Sequence, residues 1–174
     1  MPNWCNNDVT LKHDDPAMLD RAEKAFKAQA FLQEWIPVPE PLRETMSGHY
    51  SDPYKRDLHE FTQQLNLKYF GYRDWYDFCV NEWGTKWDVG GEDGEICVRE
   101  YDSMLLSFNS AWAPPTKVYY KLQELGFDVV AWYWEPGMGF VGRHDKAGDA
   151  CYKTSDLALV PPDFFDVYNL RCEE

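Results

Sequence analysis

The apolar residues of this chain change period twice in the same order, and that order restricts the folds open to it. Over residues 3–12, Cys5, Val9 and Leu11 share one face by period two, with Asn7 interrupting the series, which predicts a strand. Asp14-Asp15-Pro16 then signals a helix start. Leu19, Ala22, Ala25 and Phe26 follow at helical spacing, and Ala30 is expected to add a turn. The switch recurs in the second half. Strands are predicted over 96–101 and 104–109, joined tightly at Asp102-Ser103. A helix opened by Pro114-Pro115 carries Val118, Leu122 and Leu125 and ends at Gly126. Residues 128–135, rich in Val and aromatic side chains, read as a strand, and Pro136-Gly137 turns into one more over 138–142.

Between these two runs the pattern is helical. The prolines from Trp35 to Pro41 argue for an extended, polyproline-like connection, and 47–53 reads as a loop. Helices are expected over 54–67 and 73–83. In the second of these, Trp75, Phe78, Cys79 and Glu82 keep three-four spacing, and Gly84 is placed to stop the helix. The order is β-α-(insertion)-β-β-α-β plus a hairpin strand. This predicts an α+β fold: a ferredoxin-like split βαβ antiparallel sheet with helices on one face, a helical insertion after the first helix and an extra C-terminal hairpin strand. Residues 1–174 are expected to form a single domain. Its parts are a first βα unit (1–35), the insertion (36–92), the ββαββ remainder of the sheet (93–145) and a C-terminal extension (146–174).

Composition narrows the chemistry. The net charge is −13, shared as −5 over residues 1–90 and −8 over 91–174. Such a surface repels phosphate backbones, so direct nucleic-acid binding is disfavoured and a basic protein partner is favoured. The five cysteines (Cys5, Cys79, Cys97, Cys151, Cys172) include no CxxC pair, which points away from a zinc ribbon or thioredoxin-type site and toward reduced thiols. His13, His49, His59 and His144 fall in four separate segments without HExxH spacing, and Gly91-Glu92-Asp93-Gly94-Glu95 lacks EF-hand spacing, so no metal is expected. No P-loop, G-x-G-x-x-G or G-x-S-x-G occurs, and no cofactor is expected. With neither a long apolar run nor a basic-then-apolar start, the expected location is the cytoplasm, with no membrane partner.

Three aromatic cassettes sit at element boundaries: Asn3-Trp4-Cys5-Asn6, Trp83-Gly84-Thr85-Lys86-Trp87-Asp88 and Ser110-Ala111-Trp112-Ala113-Pro114-Pro115. Indole is costly to leave in water, so these rings either clamp the insertion onto the sheet or meet a flat ligand. The clamp is the commoner use of such residues. The candidate ligand-binding residues are Asn3, Trp4, Asn6, Trp83, Thr85, Lys86, Trp87, Asp88 and Trp112. Stacking would come from the indoles and polar contacts from Lys86 and Asp88. An enzymatic reading would use Cys5, or Asp88 with Lys86, as the reactive group. No catalytic residue is assigned.

The cassettes also carry a resemblance. Met1-Pro2-Asn3-Trp4-Cys5-Asn6-Asn7, Ile36-Pro37-Val38-Pro39, the Trp83–Asp88 segment, Phe108-Asn109-Ser110-Ala111-Trp112-Ala113-Pro114-Pro115 and the stretch from Tyr133 to Gly142 occur in that order. In this the chain resembles the YubB-type (Api-like) ferredoxin-like family of phage- and plasmid-borne proteins. His13-Asp14-Asp15 stands where that family commonly has a glycine. The resemblance implies a mobile-element setting and a ferredoxin-like core, and it carries over no catalytic residues. The expected function is an accessory protein that binds a host macromolecule, in its sharpest form an acidic counter-defence (anti-CRISPR-like) inhibitor of a basic, nucleic-acid-handling complex. The alternatives are a small-ligand or nucleotide pocket and an enzyme of unknown reaction.

Overall fold

The structure, a computed structural model, describes residues 2–164 of the chain. In chain order its elements are β1 (Trp4–Lys12), α1 (Pro16–Lys27), α2 (Phe31–Trp35), α3 (Glu40–Glu44), α4 (Pro53–Phe70) and α5 (Trp75–Glu82). There follow β2 (Gly94–Arg99), β3 (Ser103–Ala111), α6 (Thr116–Glu124), β4 (Asp128–Glu135), β5 (Phe140–Asp145) and β6 (Gly148–Lys153). The strands form one six-stranded sheet in the order β2-β3-β1-β4-β5-β6, with every neighbouring pair antiparallel. Cys172 and the expected extension beyond Phe164 lie outside the described residues.

Period-two alternation sorts the sheet into two faces. Cys5, Val9 and Leu11 of β1, Met104 and Leu106 of β3, and Val129 and Ala131 of β4 are buried on one face. There Leu19 and Phe26 of α1, Phe31 and Leu32 of α2, Phe78 and Cys79 of α5, and Val118 and Leu122 of α6 complete the main core. The opposite face of β4 and β5 carries a smaller core, in which Val141, Trp132, Trp134 and Tyr152 pack beneath Val160 and Phe164. Phe164 meets the Trp132 ring edge-on at 4.9 Å.

Four local readings are corrected. Ala30 does not extend α1. Gln29 turns the chain with φ 54°, and Ala30 becomes the N-cap of the separate helix α2. The proline run does not stay extended to Pro41. Helix α3 starts at Glu40, because a proline in the first helical turn forfeits no hydrogen bond. The strand expected over 138–142 begins only at Phe140. The Glu135 carboxylate accepts the backbone N–H groups of Gly137 and Met138 and holds the preceding turn. Finally, two strands follow β4 where one hairpin strand was expected. β6 pairs with β5 from Phe140↔Lys153 to Asp145↔Gly148, yet most of its side chains are exposed, so its sequence shows no alternation to read.

Candidate functional site

β1 begins where β3 ends, and the two are zipped: Trp4 lies opposite Ala111, and the Trp112 N–H donates to the Asn3 carbonyl at 2.9 Å. The end of α5 is drawn to the same junction. Trp83 caps α5, and Gly84 turns out of the helix with φ 87°, close to the Pro114 carbonyl. The Thr85 hydroxyl then donates to the Ala111 carbonyl at 2.9 Å. The three aromatic cassettes therefore meet at one end of the sheet.

Beneath them a buried polar network fixes the junction. Asn7 Nδ2 donates to the Cys5 carbonyl at 2.8 Å and to Ser110 Oγ at 2.9 Å, while its Oδ1 accepts the Tyr119 hydroxyl at 3.1 Å. The Ser110 hydroxyl in turn donates to the Ala113 carbonyl at 2.8 Å. Asn7, which breaks the apolar series of β1, is thus a satisfied core polar group.

The nine candidate residues separate into four groups. Trp83 and Thr85 are clamps: both are buried, and the Trp83 indole N–H donates to the Ile36 carbonyl at 2.8 Å. Asn3 points away toward the β4–β5 turn, where a Cβ at Gly137 would come within 2.6 Å of its amide nitrogen. Lys86 and Trp112 stand behind the groove described next. The Lys86 ammonium lies 4.6 Å from the Trp87 ring centre, 5.5 Å from Trp112 and 5.6 Å from Tyr76, a cation held among three rings. Trp112 takes its place in this cage with a left-handed φ of 68°, a conformation that is strained for a bulky residue.

Trp4, Asn6, Trp87 and Asp88 line a groove of about 690 Å³. Its remaining walls are residues 107–111 of β3 and the stretch from Val89 to Glu95, with Gln29 at the end of α1. The Trp4 and Trp87 rings face each other at 5.9 Å with a 39° tilt, and they are 46% and 39% exposed. Glu92, Asp93 and Glu95 add exposed carboxylates, and among the described residues no Lys or Arg lines the groove. The loop lies close because Gly90 (φ 100°) packs on α1, where a Cβ would meet the Phe26 carbonyl at 2.1 Å.

Asp88 has a structural duty within this wall. Oδ1 accepts from Leu32 N at 2.7 Å and Val89 N at 2.8 Å, and Oδ2 accepts from Gln33 N at 2.9 Å. It therefore caps α2 from a distant part of the chain, and its oxygens are committed to backbone amides. Burial raises the Asp88 carboxyl above the usual carboxylate range, and these amide hydrogen bonds pull it partly back.

The reactive-cysteine reading meets an unfavourable environment. The Cys5 thiol is fully buried and pushed up to about 12, first by burial and then by the charge of Glu135. Cys79 is likewise raised to about 12 by burial, with Asp88 and Asp74 adding to it. Among the described residues, no three His, Cys, Asp or Glu side chains group in a way that could hold a metal ion, and no helix is long and apolar enough to cross a membrane.

Sequence reasoning missed Tyr76, the third wall of the Lys86 cage. The only available signal was its position seven residues before Trp83 on α5, two turns back along the helix. Nor were Glu92, Asp93 and Glu95 among the candidates, because nothing in the local sequence places them across from Trp4.

The chain matches no family model and no curated protein. Among solved structures it is similar to the crystal structure of protein api92 from Yersinia pseudotuberculosis, a DUF1281 protein, with a TM-score of 0.51. The likeness covers 87% of this chain and 98% of that one at 13% identity. At that identity the likeness is one of fold.

Proposed function

We propose that this chain is a non-enzymatic binding protein whose groove receives a cationic segment of a protein partner. One observation carries the reading: two half-exposed indoles face each other over a groove whose charged lining, among the described residues, is all carboxylate. Indole faces attract guanidinium and ammonium groups, and the neighbouring cage already holds one such group, the Lys86 ammonium. The same carboxylates oppose a phosphate, which ranks a nucleotide below a basic peptide. The strand order β2-β3-β1-β4, antiparallel throughout with helices on one face, supports reading the first four strands as a ferredoxin-like split βαβ core. The ordered motifs shared with YubB-type proteins support a mobile-element setting, and the likeness to api92 supports the fold alone. In that setting the reading sharpens to a counter-defence inhibitor, since proteins that handle nucleic acid present the basic surfaces this groove suits.

The test is a tryptophan-fluorescence titration with an arginine-rich peptide, an acidic peptide of equal length and AMP. The arginine-rich peptide is expected to bind and to weaken steeply with salt. The triple change Glu92→Gln, Asp93→Asn, Glu95→Gln, or Trp87→Ala alone, should each cost about tenfold or more. Binding of AMP with no response to the basic peptide would overturn the proposal, as would peptide binding that ignores both salt and the triple change.

A further inference from the structure

Helix α4 is built inside out. Its buried side chains are His59 and Asn66, and they attach it to the body through polar contacts. His59 Nε2 donates to the Gly48 carbonyl at 3.0 Å, and Asn66 Nδ2 donates to Thr45 Oγ1 at 2.8 Å and the Arg73 carbonyl at 3.0 Å. Gln63 Nε2 adds a bond to Asp74 Oδ2 at 3.2 Å. The apolar residues point the other way. Tyr54, Leu58, Phe61, Leu65 and Tyr69 recur at intervals of four, three, four and four, so they fall on one stripe. Tyr54 is 79% exposed, Phe61 61% and Tyr69 70%. An amphipathic helix whose apolar stripe faces water is ordinarily covered by something.

We propose that a second copy of this chain covers it, through antiparallel packing of α4 on α4 about a twofold axis between Leu58 and Phe61. Three features of the stripe fit it to itself. First, the spacing is self-complementary: antiparallel pairing sets Leu58 opposite Phe61 of the second copy and Tyr54 opposite Leu65, a large ring against a smaller aliphatic in each layer. Second, a receptacle is present. A hollow of about 320 Å³ lined by Met46, Tyr50, Leu58 and Thr62 runs beside the stripe at the level of Leu58, where Phe61 of the second copy arrives. Met46 and Tyr50 are themselves exposed. Third, the charge permits it. In a chain of net charge −13, α4 is nearly neutral, with Lys55, Arg56 and Lys68 against Asp57 and Glu60. In this register Lys55 faces Gln64, Arg56 faces Gln63 and Asp57 faces Thr62 of the second copy, so no like charges oppose each other. The apolar surface on offer is on the order of 600 Å² per copy, so a pair reaches the lower bound of a stable interface.

Sedimentation velocity on the full chain between roughly 1 and 200 µM, a span suited to an interface this small, tests the proposal. A concentration-dependent dimer is expected. Phe61→Glu and Leu58→Glu should each weaken it about thirtyfold or more with unchanged circular dichroism, because both side chains are exposed in the single chain. Tyr101→Glu, an exposed position on another part of the surface, should leave it intact. The register has its own check. In the double variant Tyr54→Cys, Leu65→Cys, mild oxidation should yield an intermolecular 54–65 disulfide, mapped by mass spectrometry. Within one helix those positions are about 16 Å apart, too far to join. A chain that stays monomeric throughout, a dimer indifferent to Phe61→Glu, or 54–54 cross-links in place of 54–65 would each overturn the proposal.

Discussion

Cys5 shows how one residue's surroundings decide between chemistries. It stands between Trp4 and Asn6, which reach the groove, yet its thiol is fully buried and pushed up to about 12. At neutral pH such a thiol stays protonated, whereas a nucleophile needs the thiolate. Cys97 and Cys151, by contrast, are exposed free thiols. Alkylation of the native chain at pH 8 should therefore label Cys97 and Cys151 within minutes and leave Cys5 and Cys79 unlabelled until denaturant is added. Mass spectrometry of the digested protein would read this directly, and early labelling of Cys5 would reopen an enzymatic role. Lys86 gives the companion case. It looked like a polar contact for a ligand, but its ammonium is held among Tyr76, Trp87 and Trp112. Its charge orients the ring that forms one wall of the groove.

At the scale of elements, the cap on α2 ties the insertion to the rest of the chain. A helix of five residues cannot sustain itself, and the N-cap Ala30 offers no side chain to its first amides. Asp88 supplies that function from more than fifty residues away. Asp88→Ala should leave those donors unpaired in a partly buried setting and cost about 1–3 kcal/mol, read as a lower midpoint in urea. Asp88→Asn should recover part of the loss, because one acceptor oxygen remains. This long-range cap also marks where sequence reading reached its limit. β1, α1, β3, α6 and β4 were legible because each buries one face and so displays its period. α2 and α3 were not, since short helices depend on tertiary caps and on prolines that local rules read as breakers. β6 was invisible because its exposed side chains keep no alternation. The meeting of the cassettes could be anticipated from their places at element ends. Which of them would line a groove could not, because that depends on Gly90 allowing its loop against Phe26, and on acids distant in sequence from Trp4.

Among the described residues, the sheet is a wall between two unequal cores. The main one contains α1, α2, α5 and α6, whereas the smaller one rests on Trp132, Trp134, Val141 and Tyr152 under Val160 and Phe164. β4 faces both: Val129 and Ala131 look into the first, Trp132 and Trp134 into the second. The smaller core buries less apolar surface, so it holds β5 and β6 with less free energy than the main core gives β1, β3 and β4. Native-state hydrogen exchange should therefore resolve two cooperative units. The amides of β6 and β5 should exchange together at a lower opening free energy, while those of β1, β3 and most of β4 persist to global unfolding. Phe164→Ala should speed the first group and leave the second nearly unchanged. A sheet continuous in its hydrogen bonding is thus divided in its cooperativity, and the division falls between β4 and β5.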